Sequence, residues 1–408
     1  MWSKISSLPL AVKQYLVITG NYWGFTLTDG ALRMLVVLYF HQLGYAPLAI
    51  AMLFLFYEFF GVVTNLVGGW LGARIGLNKT MNIGLVMQVC ALLMLTVPVE
   101  YLSVFWVMLA QAVSGIAKDL NKMSAKSGVK TLIPEGMSGK LFRWVALLTG
   151  SKNALKGLGF FLGGLLLALL GFRGALLLMA LMLSLVAIFS IRVLKGEIGK
   201  AKSKPKFRQI FSKSAALNYL SAARLCLFAA RDVWFVVALP VYLVSQLGWH
   251  HEYVGAFMAV WIIAYGLVQV YTPKITGSSK GKSPGPKLVS FWGLLLAVVT
   301  VLLVAALLYL QDTGTVLVTG LIVFGLVFAV NSSLHSYLIL ALSNQDEVSM
   351  DVGFYYMANA LGRLLGTVLS GYLFQAYGLL VCLVAASILA LLAALFIRKV
   401  NPHQSTSG

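Results

Sequence analysis

The apolar positions of this chain come in runs of about 20 residues separated by short polar segments, the length a helix needs to cross a bilayer. The runs predict spans at 15–42, 48–73, 80–98, 102–124, 142–168, 174–194, 217–246, 252–273, 288–310, 315–341, 350–375 and 379–398. Twelve spans define an all-α integral membrane protein, and their even number places both termini on one side. The longest polar stretch, Lys195 to Ser214, follows the sixth span, is rich in lysine and holds a proline. It reads as a basic cytoplasmic linker, 195–214, between an N-terminal six-helix bundle, 1–194, and a C-terminal one, 215–408. The bundles share short strings: Gln42-Leu43-Gly44 with Gln246-Leu247-Gly248, and Asn153-Ala154-Leu155 with Asn359-Ala360-Leu361. An internal duplication of six helices accounts for both, and transporters built on such repeats hold their ligand between the repeats near the midplane.

Polar residues that interrupt the spans carry the chemistry. In the first span Tyr22, Thr26, Asp29 and Arg33 are spaced four, three and four apart, so a helix gathers them into one stripe with Asp29 a turn before Arg33. A charge at that depth costs roughly 3 kcal/mol on insertion scales, and faces a partner or a water-filled cavity. Eight basic residues lie at membrane depth: Arg33, Lys118, Lys122, Lys152, Lys156, Arg224, Arg231 and Arg363. Four acidic ones, Asp29, Glu58, Asp119 and Asp232, stand against them as charge-pairing or proton-coupling groups. The positive surplus must be neutralised in low dielectric, and a multiply charged anion would do it. Arginine grips phosphate-like groups through two parallel hydrogen bonds, while lysine supplies a mobile point charge.

Other readings stay open for several of these residues. Lys118 and Lys122 lie near enough to the end of span four to snorkel to the interface. Arg231 and Asp232 can pair locally, and Arg33 can do no more than neutralise Asp29. Glu58, with no basic residue one turn away on its own span, is expected as a protonatable coupling group or as a neutral, hydrogen-bonded acid. Asn331 and His335, four apart in span ten, could extend the polar lining.

Composition agrees with a membrane protein: 60% of residues are apolar and 11% charged, with a mean hydropathy of +0.89. A net charge of +19 would suggest nucleic acid until its location is considered. With both termini in the cytoplasm, 22 of the 31 basic residues fall in cytoplasmic loops and tails and only Arg173 on the far side. That is the positive-inside pattern of a multi-pass protein in the inner (plasma) membrane, with lipid as a partner and no nucleic acid. Cys90, Cys226 and Cys382 show neither metal spacing nor a disulfide framework. No serine, histidine and acid cluster suggests hydrolysis. Gly277 to Ser283 has three rather than four residues between its glycines and follows a span instead of a strand, which argues against a phosphate loop. No catalysis, metal or cofactor is expected, and energy must come from gradients. The N-terminus lacks a cleavable signal pattern, so the first span is expected to remain.

The stretch Gly69-Trp70-Leu71-Gly72-Ala73-Arg74-Ile75-Gly76-Leu77-Asn78-Lys79 resembles the loop signature of the major facilitator superfamily. The resemblance implies that Gly69, Gly72, Arg74 and Gly76 form a cytoplasmic gate. Ala73 stands where that signature usually has an acid, so Arg74 needs another partner. At finer grain, Thr19 to Tyr45, Phe56 to Asn82, Ser114 to Ser127, Leu148 to Gly157 and Ala229 to Leu243 resemble the ArsJ-type organoarsenical efflux permeases. The fold implied is twelve transmembrane helices in two pseudo-symmetric six-helix bundles. The cargo implied is 1-arseno-3-phosphoglycerate, the anhydride formed when glyceraldehyde-3-phosphate dehydrogenase uses arsenate in place of phosphate. The dehydrogenase is then a functional partner, and arsenate resistance the outcome.

Arsenate and phosphate ends would need two cationic clusters, with Arg33, Lys152 and Lys156 in the first half and Arg224, Arg231 and Arg363 in the second. The full expected substrate-contacting set is Asn21, Tyr22, Arg33, Lys118, Lys122, Lys152, Lys156, Arg224, Arg231, Asn359 and Arg363, on a protein expected to be monomeric. An exporter or exchanger of ordinary organic or sugar phosphates would use the same cations. A multidrug exporter fits less well, because the positive surplus repels lipophilic cations.

Overall fold

The structure is a computed structural model that describes residues 10–45, 50, 53–133, 136–194, 199–201, 214–278, 283–344 and 347–401. Most of the basic linker, the core of the loop at 277–283, and both chain ends lie outside the described residues. The helices are α1 (Leu10–Gln42), α2 (Leu55–Ile75), α3 (Leu77–Met94), α4 (Val104–Leu132), α5 (Ser138–Val193) and α6 (Ala215–Phe235). They continue as α7 (Ala238–Ser245), α8 (His251–Ile275), α9 (Pro286–Tyr309), α10 (Thr313–Leu342), α11 (Val348–Tyr377) and α12 (Leu379–Arg398).

Breaks in the helices follow local chemistry. α5 joins the expected fifth and sixth spans without a loop: its direction changes at Gly171, whose φ of 68° suits a residue without a Cβ. α6 and α7 form one span interrupted at Val236 and Val237. Gly76, at φ 94°, turns the chain from α2 into α3, and its N–H donates to the Gly72 carbonyl at 3.0 Å. With α5 counted as two limbs, the helices provide twelve spans.

Seven of the described helical segments are long and apolar enough to cross a membrane by length and composition alone. The comparably long helices outside that set, α1, α2, α4 and α11, carry Asp29 and Arg33, Glu58, Lys118 to Lys126, and Arg363. Helices that interrupt their apolar faces with charge are those with something other than lipid to face. Elsewhere large apolar side chains point outward, among them Phe161, Leu169 and Leu181 on α5 and Val301 and Leu302 on α9, as lipid solvation requires.

α4 corrects one sequence expectation. It runs to Leu132, eight residues beyond the predicted end at 124. Lys126, assigned from sequence to a loop, is therefore a buried helical residue, only 3% exposed.

The chain divides into two compact units. The first comprises Met1–Trp144, Ser151–Phe211 and Asn344–Met357, and the second Val145–Gly150, Ser212–Ser343 and Ala358–Gly408. In the first, Gly159 and Gly163 of α5 press against the Leu27 and Ala31 carbonyls of α1; a Cβ on Gly159 would lie 2.7 Å from the Leu27 oxygen. In the second, Gly362 and Gly366 of α11 meet the Leu225 and Ala229 carbonyls of α6 in the same way. The paired glycines are 203 residues apart (159 to 362, 163 to 366), and the paired carbonyls 198 (27 to 225, 31 to 229).

A second close crossing repeats with nearly the same offsets. Gly69 meets Gly353 in the first unit, and Gly150 meets Gly266 in the second. Backbones approach this closely only where side chains are absent, which substitutes van der Waals contact for the hydrophobic effect that lipid removes. The duplication is thus visible in packing, with one correction. Asn153 and Asn359 are 206 apart, three residues out of this register, so that tripeptide match does not mark equivalent positions.

Candidate functional site

In the first unit the charged residues of α1, α2 and α4 converge on Tyr57. Its hydroxyl donates to Asp29 Oδ1 at 2.7 Å. Its ring centre lies 3.7 Å from Lys118 Nζ and 5.2 Å from the Arg33 guanidinium, so one ring takes two cations. Gly115 of α4 permits this placement, since a Cβ there would stand 2.7 Å from the Tyr57 carbonyl oxygen. Asp119, with a side chain 1% exposed, bonds Lys122 at 2.6 Å and lies 3.9 Å from Lys118. Tyr356, contributed to this unit by α11, presents its ring to Lys122 at 4.9 Å and Lys126 at 5.9 Å. Tyr22 is buried, with 2% of its surface exposed.

The second unit repeats the scheme with arginine. Asp232 is shared by Arg231, at 2.5 Å, and Arg363, at 3.3 Å. Phe228 has the Arg224 guanidinium 4.1 Å from its ring centre and that of Arg231 at 5.0 Å. Arg224, 3% exposed, donates from Nε to Asn359 Oδ1 at 2.8 Å and from Nη1 to the Ser332 carbonyl and hydroxyl at 3.1 and 3.2 Å. The Ser332 hydroxyl also accepts from Tyr265, which accepts from Gln269 Nε2. Both amide atoms of Asn331 and Nδ1 of His335 are buried without a hydrogen-bond partner among the described residues. Each such atom costs about 1–3 kcal/mol if nothing hydrates it.

Several sequence expectations change. Arg33 does not neutralise Asp29: it bonds Glu58 Oε1 at 3.2 Å, while Asp29 takes the Tyr57 hydroxyl. Glu58 is thus paired from a neighbouring helix and is not the carboxyl without a cation that its own span suggested. The Thr26 hydroxyl returns to the Tyr22 carbonyl and leaves the stripe. Asn21 donates to Ser190 Oγ at 2.7 Å and also meets Met81 Sδ, and Ser190 in turn donates to Asn82. These contacts tie Asn21 of α1 to α3 and α5.

Lys122 does not snorkel, because Asp119 holds it inside the unit. Lys152 and Lys156 are half-buried on α5, with Lys156 Nζ 5.8 Å from the Phe160 ring centre. Arg74, whose signature acid is replaced by Ala73, instead stacks on Trp70 at 5.1 Å. Tyr57, Phe228, Ser332, Tyr265 and Lys126 were not anticipated. Phe228 had a signal, lying four residues after Arg224 and three before Arg231, whereas Tyr57 is brought to its cations only by tertiary packing.

Comparison with known proteins follows the fold. The sequence profile of the Major Facilitator Superfamily matches residues 16–284 and 233–407. No curated protein sequence matches significantly. Among solved structures, the human organic anion transporter MFSD10 (TETRAN) superposes with a TM-score of 0.75 at 16% identity, covering 96% of this chain and 100% of that one. A bacterial homologue of the iron transporter ferroportin, in an outward-facing state, gives 0.73 at 16% identity, with 94% and 98% covered. The proton:xylose symporter XylE gives 0.74 at 13% identity, with 96% of each chain covered.

Proposed function

Because this chain belongs to the Major Facilitator Superfamily, and so is a multi-pass membrane transporter, we propose that it exports an organic anion bearing phosphate-like groups, with 1-arseno-3-phosphoglycerate as the cargo. The observation that carries this reading is that each unit buries a carboxylate shared by two cations: Asp119 by Lys118 and Lys122, and Asp232 by Arg231 and Arg363. In each triad one carboxylate stands against two cations, a local excess of positive side chains that suits an anionic ligand.

Arg224, with the fork geometry that suits phosphate-like oxygens, adds a third cationic contact. Arg33 and Asn21 serve the scaffold, and Lys152 and Lys156 remain candidate contacts. The long strings that resemble the organoarsenical permeases choose the arsenate-bearing cargo over ordinary organic phosphates. Relief of cation repulsion by the bound anion favours closure around it, and the opposite opening releases it. With both termini cytoplasmic, each negative charge moved outward gains about 2.3 kcal/mol per 100 mV of inside-negative potential, so proton exchange is not required.

The test is arsenate resistance in cells expressing the chain with and without glyceraldehyde-3-phosphate dehydrogenase. Resistance that needs both is the expected result, and resistance without the dehydrogenase removes the anhydride as cargo. Competition by 3-phosphoglycerate without arsenate, at equal potency, would instead favour a general organic-phosphate exporter.

A further inference from the structure

The described part of the polar stretch after α5, Gly199 to Ala201, belongs to the first unit and lies against the turn between α2 and α3. Two contacts place it there. Gly76, at φ 94°, ends the helical ladder of α2, and the last carbonyls of a helix need partners from outside it. The carbonyl of Ala73, a residue with no exposed surface, accepts from the Ala201 N–H at 2.9 Å. A main-chain donor 128 residues along the chain (73 to 201) thus completes the end of α2.

The second contact is a seat for a residue without a side chain. Gly199 has a φ of 69°, in the left-handed region, and a Cβ there would collide with Leu77 Cδ1 and lie 2.8 Å from Leu77 Cγ. Leu77, the first residue of α3, is 1% exposed and so has little room to retreat. Thr131 forms the other wall: its Cγ2 lies 3.5 Å from the same point, while its hydroxyl donates to the Gly128 carbonyl at 3.1 Å. Thr131 stands in the part of α4 that runs on past 124, so this polar extension supports the start of the linker. Conformation and space both demand glycine at 199.

We propose that Gly199–Ala201 is a releasable mooring that sets the working length of the linker by taking seven residues, 195–201, out of the tether between the two units. The proposal goes beyond anion export and needs only the transporter fold. Nineteen residues separate Leu194 at the end of α5 from Ser214 at the start of α6, and twelve separate Ala201 from Ser214. A fully extended chain covers about 3.3–3.6 Å per residue, so mooring shortens the greatest reach from roughly 70 Å to roughly 45 Å. Alternating access moves one repeat against the other, and a tether too short for the span it must cover cannot hold both its ends. Ala201 is half-buried, so water replaces its carbonyl partner when the seat lets go. The mooring therefore yields before the helices do, and pays out its seven residues.

Hydrogen exchange resolved to the Ala201 amide, on the full chain in detergent, tests this without any cargo. In the wild type that amide should exchange at least tenfold more slowly than in an unstructured peptide of the same sequence. Gly199→Val should return it to within threefold of the peptide. Peptide-like exchange in the wild type, or unchanged protection in the variant, overturns the mooring.

A second set of chains tests the working length. Deleting Ser203 to Ile210 leaves four residues between Ala201 and Ser214 while the mooring holds, and eleven beyond Leu194 once it releases, close to the original twelve. The deleted chain, at wild-type protein levels, should show peptide-like exchange at Ala201. Replacing the same eight residues by eight of glycine and serine should leave wild-type protection, since length and not sequence is what counts. Protection kept in the deleted chain, or lost equally in the replaced one, overturns the role in tether length. A wild-type chain that moves no arsenate bears on the proposed cargo alone, because exchange at Ala201 is read without transport.

Discussion

A buried carboxylate takes the nearest donor in space, and at Asp29 that donor is a phenol from another helix. Tyr57→Phe keeps the ring beneath Lys118 and removes only the hydroxyl, so it tests that bond alone. We expect about 1–3 kcal/mol less stability in detergent unfolding, the cost of a buried carboxylate losing its donor, together with slower transport. Arg33 and Glu58 form a pair about one-third exposed. Arg33→Gln and Glu58→Gln should each reduce stability more than the double variant does, and strict additivity would show that the pair is not coupled. Spacing along one helix suggested Asp29 with Arg33 and left Glu58 alone. Residue types, depth and the local Arg231–Asp232 pair were legible in the sequence, but the partners of Asp29 and Glu58 were not, because those were chosen between helices.

At the scale of elements, apolar run length recovered the spans to within about five residues, apart from the start of the second, expected at 48 while α2 begins at Leu55, and the end of the fourth. The end of α4 was placed at 124 because serines and lysines follow, yet the helix runs on to Leu132 with Lys126 buried. A count of apolar residues cannot tell a polar helix face turned inward from a loop. Helix termini give a second, pH-dependent prediction. Asp312, exposed at the start of α10, accepts from the Thr315 N–H at 3.0 Å, and these backbone donors hold its carboxyl below its ordinary value. A carboxyl lowered in the folded state contributes its stability fully above the unfolded value of about 3.9 and loses it as pH falls through the folded value. Asp312→Ser should keep the cap while flattening the acid limb of a melting curve measured against pH; an unchanged acid limb would show that the cap does not titrate in that range.

Glycine positions divide into two kinds. Gly362 sits on the Leu225 carbonyl, and Gly371 has nothing within 4 Å of a built Cβ. Gly362→Ala should cost about 1–3 kcal/mol through overpacking, and Gly371→Ala should be neutral or add up to about 1 kcal/mol through helix propensity. Melting temperatures in detergent separate them, and equal effects would remove the packing argument.

For the whole molecule, the fold was readable from run lengths and loop charge, and its family from the turn at Gly69 to Lys79. The cargo was not readable from the residues alone, since clustered cations announce an anion without naming it. Transport in everted vesicles with and without a membrane potential addresses the driving force. We expect accumulation to follow potential, and strict dependence on a proton gradient with indifference to potential would overturn uniport. The repeated glycine contacts reach further than energetics. Every missense change to a glycine codon adds a Cβ, so Gly159, Gly163, Gly362 and Gly366 should each resist any amino-acid replacement. A saturation map of tolerated mutations should show two matching troughs with the spacing of the ancestral gene copy, a fossil of the fusion event legible from survival counts.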